Sequence, residues 1–161
     1  MTLFRDVLVP YDFSPDADRA LRVALELAAK ERGRVTVLHA IPRLSRAIGV
    51  PPGVFPPAVL SAALPADQQR RLEARVARAR RGRKAPRVAC EVVVADPLAA
   101  ILEAAKRATA IVMGTLGLTG LPHLVIGSVA ERVVRRAGVP VMTIRAGARA
   151  RMRGAPRRRA G

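Results

Sequence analysis

The sequence predicts an α/β fold, a doubly wound sheet of five parallel strands with helices on both faces. Short apolar runs alternate with helical patterns along the chain, which indicates βαβ units. The apolar runs are nearly continuous, as expected of strands buried on both faces. Half of the 161 residues are hydrophobic and only 2% are aromatic, so the core is expected to be aliphatic. Right-handed crossovers then favour the doubly wound open sheet.

Helix-capping residues and prolines indicate where the first strands and helices begin and end. A strand is predicted in FRDVLVPYD. A helix follows it, because Ser14 is a favourable N-cap and Pro15 suits the first helical position. The second strand is RVTVLHAI. Residues 42–66 are rich in Pro and Gly and predict a loop with at most a short helix, after which a basic helix is predicted over residues 66–83.

The second half of the chain continues the alternation. RVACEVVVA is predicted as a buried strand, in which Cys90, the single cysteine, is interpreted as a small core residue. Asp96 is expected to cap the helix PLAAILEAAKRA. TAIVMG is a fourth strand, SVAERVVRRAG a fourth helix and VPVMTIRA a fifth strand. One cysteine excludes an internal disulfide.

Charge and termini suggest one domain with a tail. Residues 1–146 are predicted to form the domain. Residues 147–161 are basic and are expected to be disordered, and no acid follows Glu131. The net charge of +17 would attract polyanions. No signal peptide or membrane span is recognised, so a cytoplasmic protein with no membrane contact is expected.

The stretch GTLGLTGLPHLVIGS, residues 114–128, separates the fourth strand from the fourth helix. Its glycines are spaced as Gly114, two residues, Gly117, nine residues, Gly127 and then Ser128. Backbone amides free of side chains can converge on phosphate oxygens, and the following helix points its positive end at the same place. The spacing fits neither the P-loop nor the fingerprint of the first βα turn in dinucleotide-binding domains. The alternative is turn geometry alone, which suits Gly120.

Around these residues the chain resembles the universal stress protein family over residues 3–145. The G-x2-G-x9-G-[ST] spacing is the pattern of the family's ATP-binding branch. LVPYDFSPDADRAL resembles the family's first strand and helix, VTVLHAI its second strand, AIVMGT its fourth strand, and GSVAERVVRRAGVPVMTIR its closing helix and strand. The resemblance implies a Rossmann-like fold of the adenine nucleotide alpha hydrolase type.

The resemblance also implies where ATP and an accompanying Mg²⁺ would bind. The residues near the adenine and ribose would come from the first, second and fourth strand ends, and residues 114–120 and the start of the fourth helix would surround the phosphates. The implied contacts are Pro10, Tyr11, Asp12, Ala40, Met113, Gly114, Thr115, Gly117, Leu118, Gly120, Gly127, Ser128 and Val129. Leu116 and Leu118 depart from the family pattern, which often has His or Arg there, so reduced affinity is expected.

Several of these residues have structural alternatives. Ser128 and Glu131 fit a capping box, which is compatible with a phosphate contact from the Ser128 backbone. Asp12 could cap the first helix or its preceding turn. His39 is expected to be a satisfied interior residue, and His123 to lie on a loop surface. No catalytic Ser, Cys or His set is apparent, so an efficient ATPase is not expected.

Two functions from different classes remain open. The first is a nucleotide-dependent stress-response module that acts as a homodimer through the strand at residues 139–146, as the resemblance implies for an edge strand. The alternative is a binder of nucleic acid or another polyanion through the arginine-rich tail, with nucleotide binding weak or lost.

Overall fold

The computed structural model of the chain describes residues 2–42, 57–82, 86–115 and 127–145, with backbone alone for residues 57–64. Five strands and four helices alternate within these ranges. In chain order they are β1 (Asp6–Pro10), α1 (Pro15–Lys30), β2 (Arg34–Ile41), α2 (Pro57–Arg80), β3 (Arg87–Val94), α3 (Pro97–Ala105), β4 (Ala110–Gly114), α4 (Ser128–Arg136) and β5 (Val141–Ile144). Among these described residues, none of the helices has the length and hydrophobicity that crossing a membrane requires.

The five strands form one parallel sheet in the order β3-β2-β1-β4-β5. The chain moves outward from β1 to β3 and then returns to the other side of β1 to add β4 and β5. The direction of winding therefore reverses between β1 and β4. The predicted doubly wound α/β fold is confirmed.

The core has two parts because successive strand residues point to opposite faces of the sheet. On one face, Val7 and Val9 pack with residues of α1 and α2 that include Leu21, Leu25 and Leu72. On the other face, Leu8 and Ile111 pack with residues of α3 and α4 that include Leu98, Ile101 and Val133. Helices thus cover both faces, α1 and α2 on one and α3 and α4 on the other.

Two predicted helix starts are confirmed by their caps. The Ser14 hydroxyl accepts a hydrogen bond from Ala17 N at 3.1 Å, and Pro15 begins α1. The Asp96 carboxylate accepts one from Ala99 N at 2.9 Å, with Pro97 at the first position of α3. Both caps satisfy amide donors that a helix leaves without intrahelical partners.

The predicted start of α2 was wrong. The helix begins at Pro57, well before residue 66, and continues through Pro65. A proline removes one backbone donor and crowds the preceding turn. The neighbouring segment AVLSAAL is nevertheless rich in Ala and Leu, which favour helix, so a single proline did not end it.

The prediction of a buried third strand was wrong, because every residue of β3 is exposed or half-buried at the edge of the sheet. Cys90 is half-buried and packs against the core on the α1 and α2 face, in agreement with its interpretation as a small core residue. Burial raises the pKa of its thiol, with a smaller contribution from Glu73. A raised pKa keeps the thiol protonated at neutral pH, which is the opposite of what a reactive cysteine needs.

Candidate functional site

A cleft of about 380 Å³ lies at the carboxyl end of the sheet, where the winding reverses between β1 and β4. Ligands of open α/β sheets bind at this position. The ends of β1, β2 and β4, the first turn of α4, one residue of α1 and two of α3 enclose it. Its described lining residues are Pro10, Tyr11, Asp12, Ala17, Leu38, His39, Ala40, Pro42, Pro97, Ile101, Met113, Gly114, Thr115, Gly127, Ser128, Val129 and Ala130.

The structure brings the described candidate residues together around this one cleft. They come from four separate parts of the chain. Those that line it are Pro10, Tyr11, Asp12, Ala40, Met113, Gly114, Thr115, Gly127, Ser128 and Val129. Gly117, Leu118 and Gly120 lie outside the described residues, as do Leu116 and His123.

One part of the lining is apolar and includes residues that sequence reasoning missed. The missed residues are Leu38 and Pro42, on either side of Ala40, and Ile101 of α3; the predicted Met113 of β4 lies in the same lining. The signal that could have found them is topological, because parallel strands end at the same edge and the helices that follow begin there. An apolar wall of this kind suits a planar aromatic group.

The start of α4 presents backbone donors to the cleft. Gly127 is the N-cap, and its own amide donates to Thr115 O at 2.6 Å. The first helical hydrogen bond runs from Glu131 N to Gly127 O at 3.0 Å. The amides of Ser128, Val129 and Ala130 precede it, so the helix supplies them no acceptor. All three residues line the cleft, where an anion would meet their donors and the positive end of the helix.

The capping-box interpretation of Ser128 was wrong. Gly127, in extended conformation, occupies the N-cap position, and α4 has no side-chain cap hydrogen bond. Ser128 is instead the first helical residue and is exposed. The Glu131 carboxylate pairs with Arg135 one turn later at 3.1 Å. Because glycine has no side chain, the N-cap residue leaves the first amides of α4 accessible from the cleft.

Gly114 has a packing role that the sequence did not reveal. A Cβ atom at this position would lie 2.8 Å from Asp16 Cβ and 3.0 Å from Ala17 N. The first turn of α1 therefore approaches β4 too closely for any side chain. Next to it, the Thr115 hydroxyl donates to the Asp16 carboxylate at 2.8 Å, and both residues are buried. The end of β4 is thus fixed against α1.

Asp12 takes part in the turn that leads into α1. Its Oδ1 accepts a hydrogen bond from Ser14 N at 3.0 Å, as the turn alternative for this residue requires. The residue is half-buried and also lines the cleft. A carboxylate has acceptor sites beyond this one bond, so the turn does not exhaust its capacity for a ligand.

Tyr11 and His39 line the cleft beside the turn that leads into α1. The Tyr11 hydroxyl donates to the Asp18 carboxylate, which also pairs with Arg75 at 3.1 Å. Burial, followed by the hydrogen bond to Asp18, raises the pKa of Tyr11 above its ordinary value. His39 Nδ1 donates to Tyr11 O at 2.7 Å, and its ring meets Phe13 edge to face. His39 is therefore a half-buried residue with a satisfied ring nitrogen, in a structural position.

Replacing Tyr11 by phenylalanine should lower the free energy of unfolding by about 1–2 kcal/mol at neutral pH, because Asp18 loses a donor. The folded protein keeps the phenol neutral at pH values where the unfolded chain ionises it. The advantage of the wild type over Tyr11→Phe should therefore be complete below about pH 10 and shrink as the pH rises further. Urea unfolding of both proteins at about pH 7 and about pH 11 measures the difference, and parallel pH dependences would contradict this assignment.

The described residues offer no preformed metal centre. Within the ranges that the structure covers, no three His, Cys, Asp or Glu side chains come together as metal ligands would. The described lining contains one carboxylate, that of Asp12. The cleft thus combines an apolar wall, backbone donors and a single acid.

Comparisons with known proteins find one family over most of the chain. A family model described as "Universal stress protein family" matches residues 3–145. A Thermus aquaticus protein, "Universal stress protein in QAH/OAS sulfhydrylase 3'region", is 33% identical over 145 residues, which cover 89% of this chain and 100% of the relative.

Solved structures show the same Rossmann-like α/β fold. Universal stress protein UspA from Lactobacillus plantarum has 27% identity and a TM-score of 0.68, and the match covers 88% of this chain and 98% of that one. The universal stress protein from Archaeoglobus fulgidus in complex with dAMP has 26% identity and a TM-score of 0.60, with 88% and 98% covered.

Proposed function

The chain belongs to the universal stress protein family, and from this premise we propose that it binds an adenine nucleotide, ATP with Mg²⁺, in the cleft at the carboxyl end of the sheet. One observation carries the proposal. The glycine spacing and its flanking segments single out residues that are far apart in the chain. Those among them that the structure describes line one cleft, at the point where the sheet reverses its winding.

The parts of the cleft match the parts of a nucleotide. The apolar wall of Leu38, Ala40 and Met113 suits the adenine ring. The Asp12 carboxylate is an acceptor for ribose hydroxyl groups. The amides at the start of α4 suit the phosphates. The Archaeoglobus fulgidus relative in complex with dAMP supports an adenine nucleotide as the ligand.

Magnesium would come with the triphosphate rather than occupy a site of its own. Mg²⁺ commonly keeps several waters and is bound by one or two carboxylates together with substrate phosphates. Asp12 supplies a carboxylate in the described lining, so the residues fit this type of binding. The ion would neutralise phosphate charge, which matters here because Leu116 and Leu118 provide none.

The proposed role is a cytoplasmic stress-response module whose surface changes with nucleotide binding. Residues 1–146 would form this domain, and the basic segment 147–161, outside the described residues, would be an added contact for polyanions. The protein would pair with a second copy through residues 139–146. In support, β5 is an edge strand on which Met142 is exposed. An unpaired edge strand is a surface that a second strand can cover.

Thermal unfolding with and without Mg²⁺-ATP tests the proposal. Ligand at about a hundredfold above Kd stabilises a folded protein by about 2.7 kcal/mol, which corresponds to several degrees in Tm. We expect that rise with ATP and a clearly smaller one with Mg²⁺-CTP, which carries the same ribose and triphosphate on a smaller base. An unchanged Tm at millimolar ATP, or an equal rise with CTP, would count against an adenine nucleotide site.

A further inference from the structure

A second concave region lies at the opposite end of the sheet. It has a volume of about 660 Å³ and lies where β1, β2 and β3 begin. Its lining includes four arginines, namely Arg5, Arg32, Arg34 and Arg87, and one acid, Asp6. We call this region the arginine pocket. It shares no described lining residue with the cleft at the carboxyl end.

Strand register forces two of these arginines together. Arg34 on β2 lies opposite Arg87 on β3, and Asp6 on β1 lies opposite Arg34. Neighbouring strands are about 4.8 Å apart, so both arginine side chains leave the sheet side by side on one face. Like charges in such positions are destabilising unless something of opposite charge lies between or above them.

The nearby acids do not balance the cluster. Asp6 forms an ion pair with Arg34. The Glu31 carboxylate accepts a hydrogen bond from Phe4 N at 2.8 Å and thereby joins the segment before β1 to the end of α1. The negative end of the α1 dipole stabilises cations in the last turn of that helix, where Lys30 lies. This stabilisation does not extend to Arg87 on β3. The described lining therefore has an excess of guanidinium groups.

The backbone brings the remaining arginines close to this row. A Cβ atom on Gly33 would lie 2.5 Å from Arg5 O, so glycine permits the α1–β2 turn to press against residue 5. Arg34 N donates to Arg5 O at 2.7 Å in the same contact. Arg32 has a φ of 51°, in the left-handed region that Gly or Asn usually occupies after a helix. This conformation closes the end of α1, where Gly33 N donates to Ala28 O at 2.8 Å, and Arg32 lines the pocket with the other three arginines.

We propose that the arginine pocket binds a compact polyphosphate, that is, a small ligand with two or more linked phosphate groups. Guanidinium groups bind phosphate through paired hydrogen bonds, and four around one hollow match several phosphates at once. The described lining contains no aromatic side chain on which a nucleic-acid base could stack. Its concave form favours a compact ligand over a long phosphate backbone.

An NMR titration of the full chain with inorganic triphosphate tests this proposal. We expect the largest amide shifts at Gly33, Arg34 and Arg87. The double variant Arg34→Gln/Arg87→Gln should weaken binding at least about tenfold, since two charged phosphate contacts are lost. Asp6→Asn should strengthen binding, because it removes the competing carboxylate. Gly33, Arg34 and Arg87 line none of the proposed nucleotide cleft, so their shifts are distinguishable from phosphate binding at the start of α4.

The matched control is Arg19→Gln/Arg22→Gln, which removes two exposed arginines of α1 that do not line the pocket. It should change the affinity by no more than about twofold at moderate salt. Equal losses in both double variants would overturn the proposal, because they would show attraction by net charge alone. Shifts confined to residues 127–130 would also overturn it, as would a short DNA duplex that binds these arginines when triphosphate does not.

Discussion

Replacing Gly114 by alanine is expected to lower the free energy of unfolding by about 1–3 kcal/mol, the usual cost of overpacking a well-packed core. The new Cβ would lie 2.8 Å from Asp16 Cβ and 3.0 Å from Ala17 N, so α1 would have to move away from β4. That movement would stretch the buried hydrogen bond between Thr115 and Asp16. Urea unfolding with a fixed m-value measures the loss.

Gly138→Ala is the matched control, since a Cβ atom there would meet nothing within 4 Å. Its effect on the free energy of unfolding should stay within about 0.5 kcal/mol or be slightly stabilising. If Gly114→Ala were as harmless as Gly138→Ala, the close contact between α1 and β4 would be incorrect. Because Gly114 is needed for packing, its substitution cannot serve as a clean test of ligand binding.

Ala40→Phe should weaken binding of ATP by about a hundredfold or more, equivalent to about 2.7 kcal/mol. Ala40 is the penultimate residue of β2 and lines the apolar wall of the cleft, and a phenyl ring there would occupy the space proposed for the adenine. The residue is half-buried, so the larger side chain can point into the open cleft without displacing the core. Isothermal titration calorimetry of ATP with both proteins measures the difference.

Ala89→Phe provides the comparison for that variant. Ala89 is an exposed strand residue on β3, lies toward the amino end of the sheet and does not line the cleft. ATP affinity should be unchanged within about twofold. Unaltered affinity in Ala40→Phe, or an equal loss in both variants, would place the nucleotide elsewhere.

Most of the fold could be predicted because local signals and periodicity agreed. The segment RVTVLHAI was predicted as a strand and forms β2 from Arg34 to Ile41. Ser14 and Asp96 were predicted as helix caps and are the N-caps of α1 and α3. Prediction failed where tertiary contacts or neighbouring residues determined the local structure. The Pro and Gly content of residues 42–66 predicted a loop with at most a short helix, yet α2 begins at Pro57 and its Ala and Leu residues continue the helix through Pro65.

The site was only partly predictable, because some of its contacts depend on tertiary packing. Strand ends and glycine spacing indicate which edge of a parallel sheet binds a ligand. They do not show that Gly114 faces α1, because that depends on how closely a helix and a strand approach. The arginine pocket was also not predicted. It depends on the register of β2 and β3, which places Arg34 opposite Arg87 although they are distant in the chain.

A crystal structure of the protein with Mg²⁺ and ATP tests the central claim most directly. The account predicts density for adenine against Leu38, Ala40 and Met113, and for phosphate at the amides of residues 128–130. Density for the whole nucleotide at another surface, or a cleft closed by the leucines of residues 116–118 with no ligand in it, would contradict it.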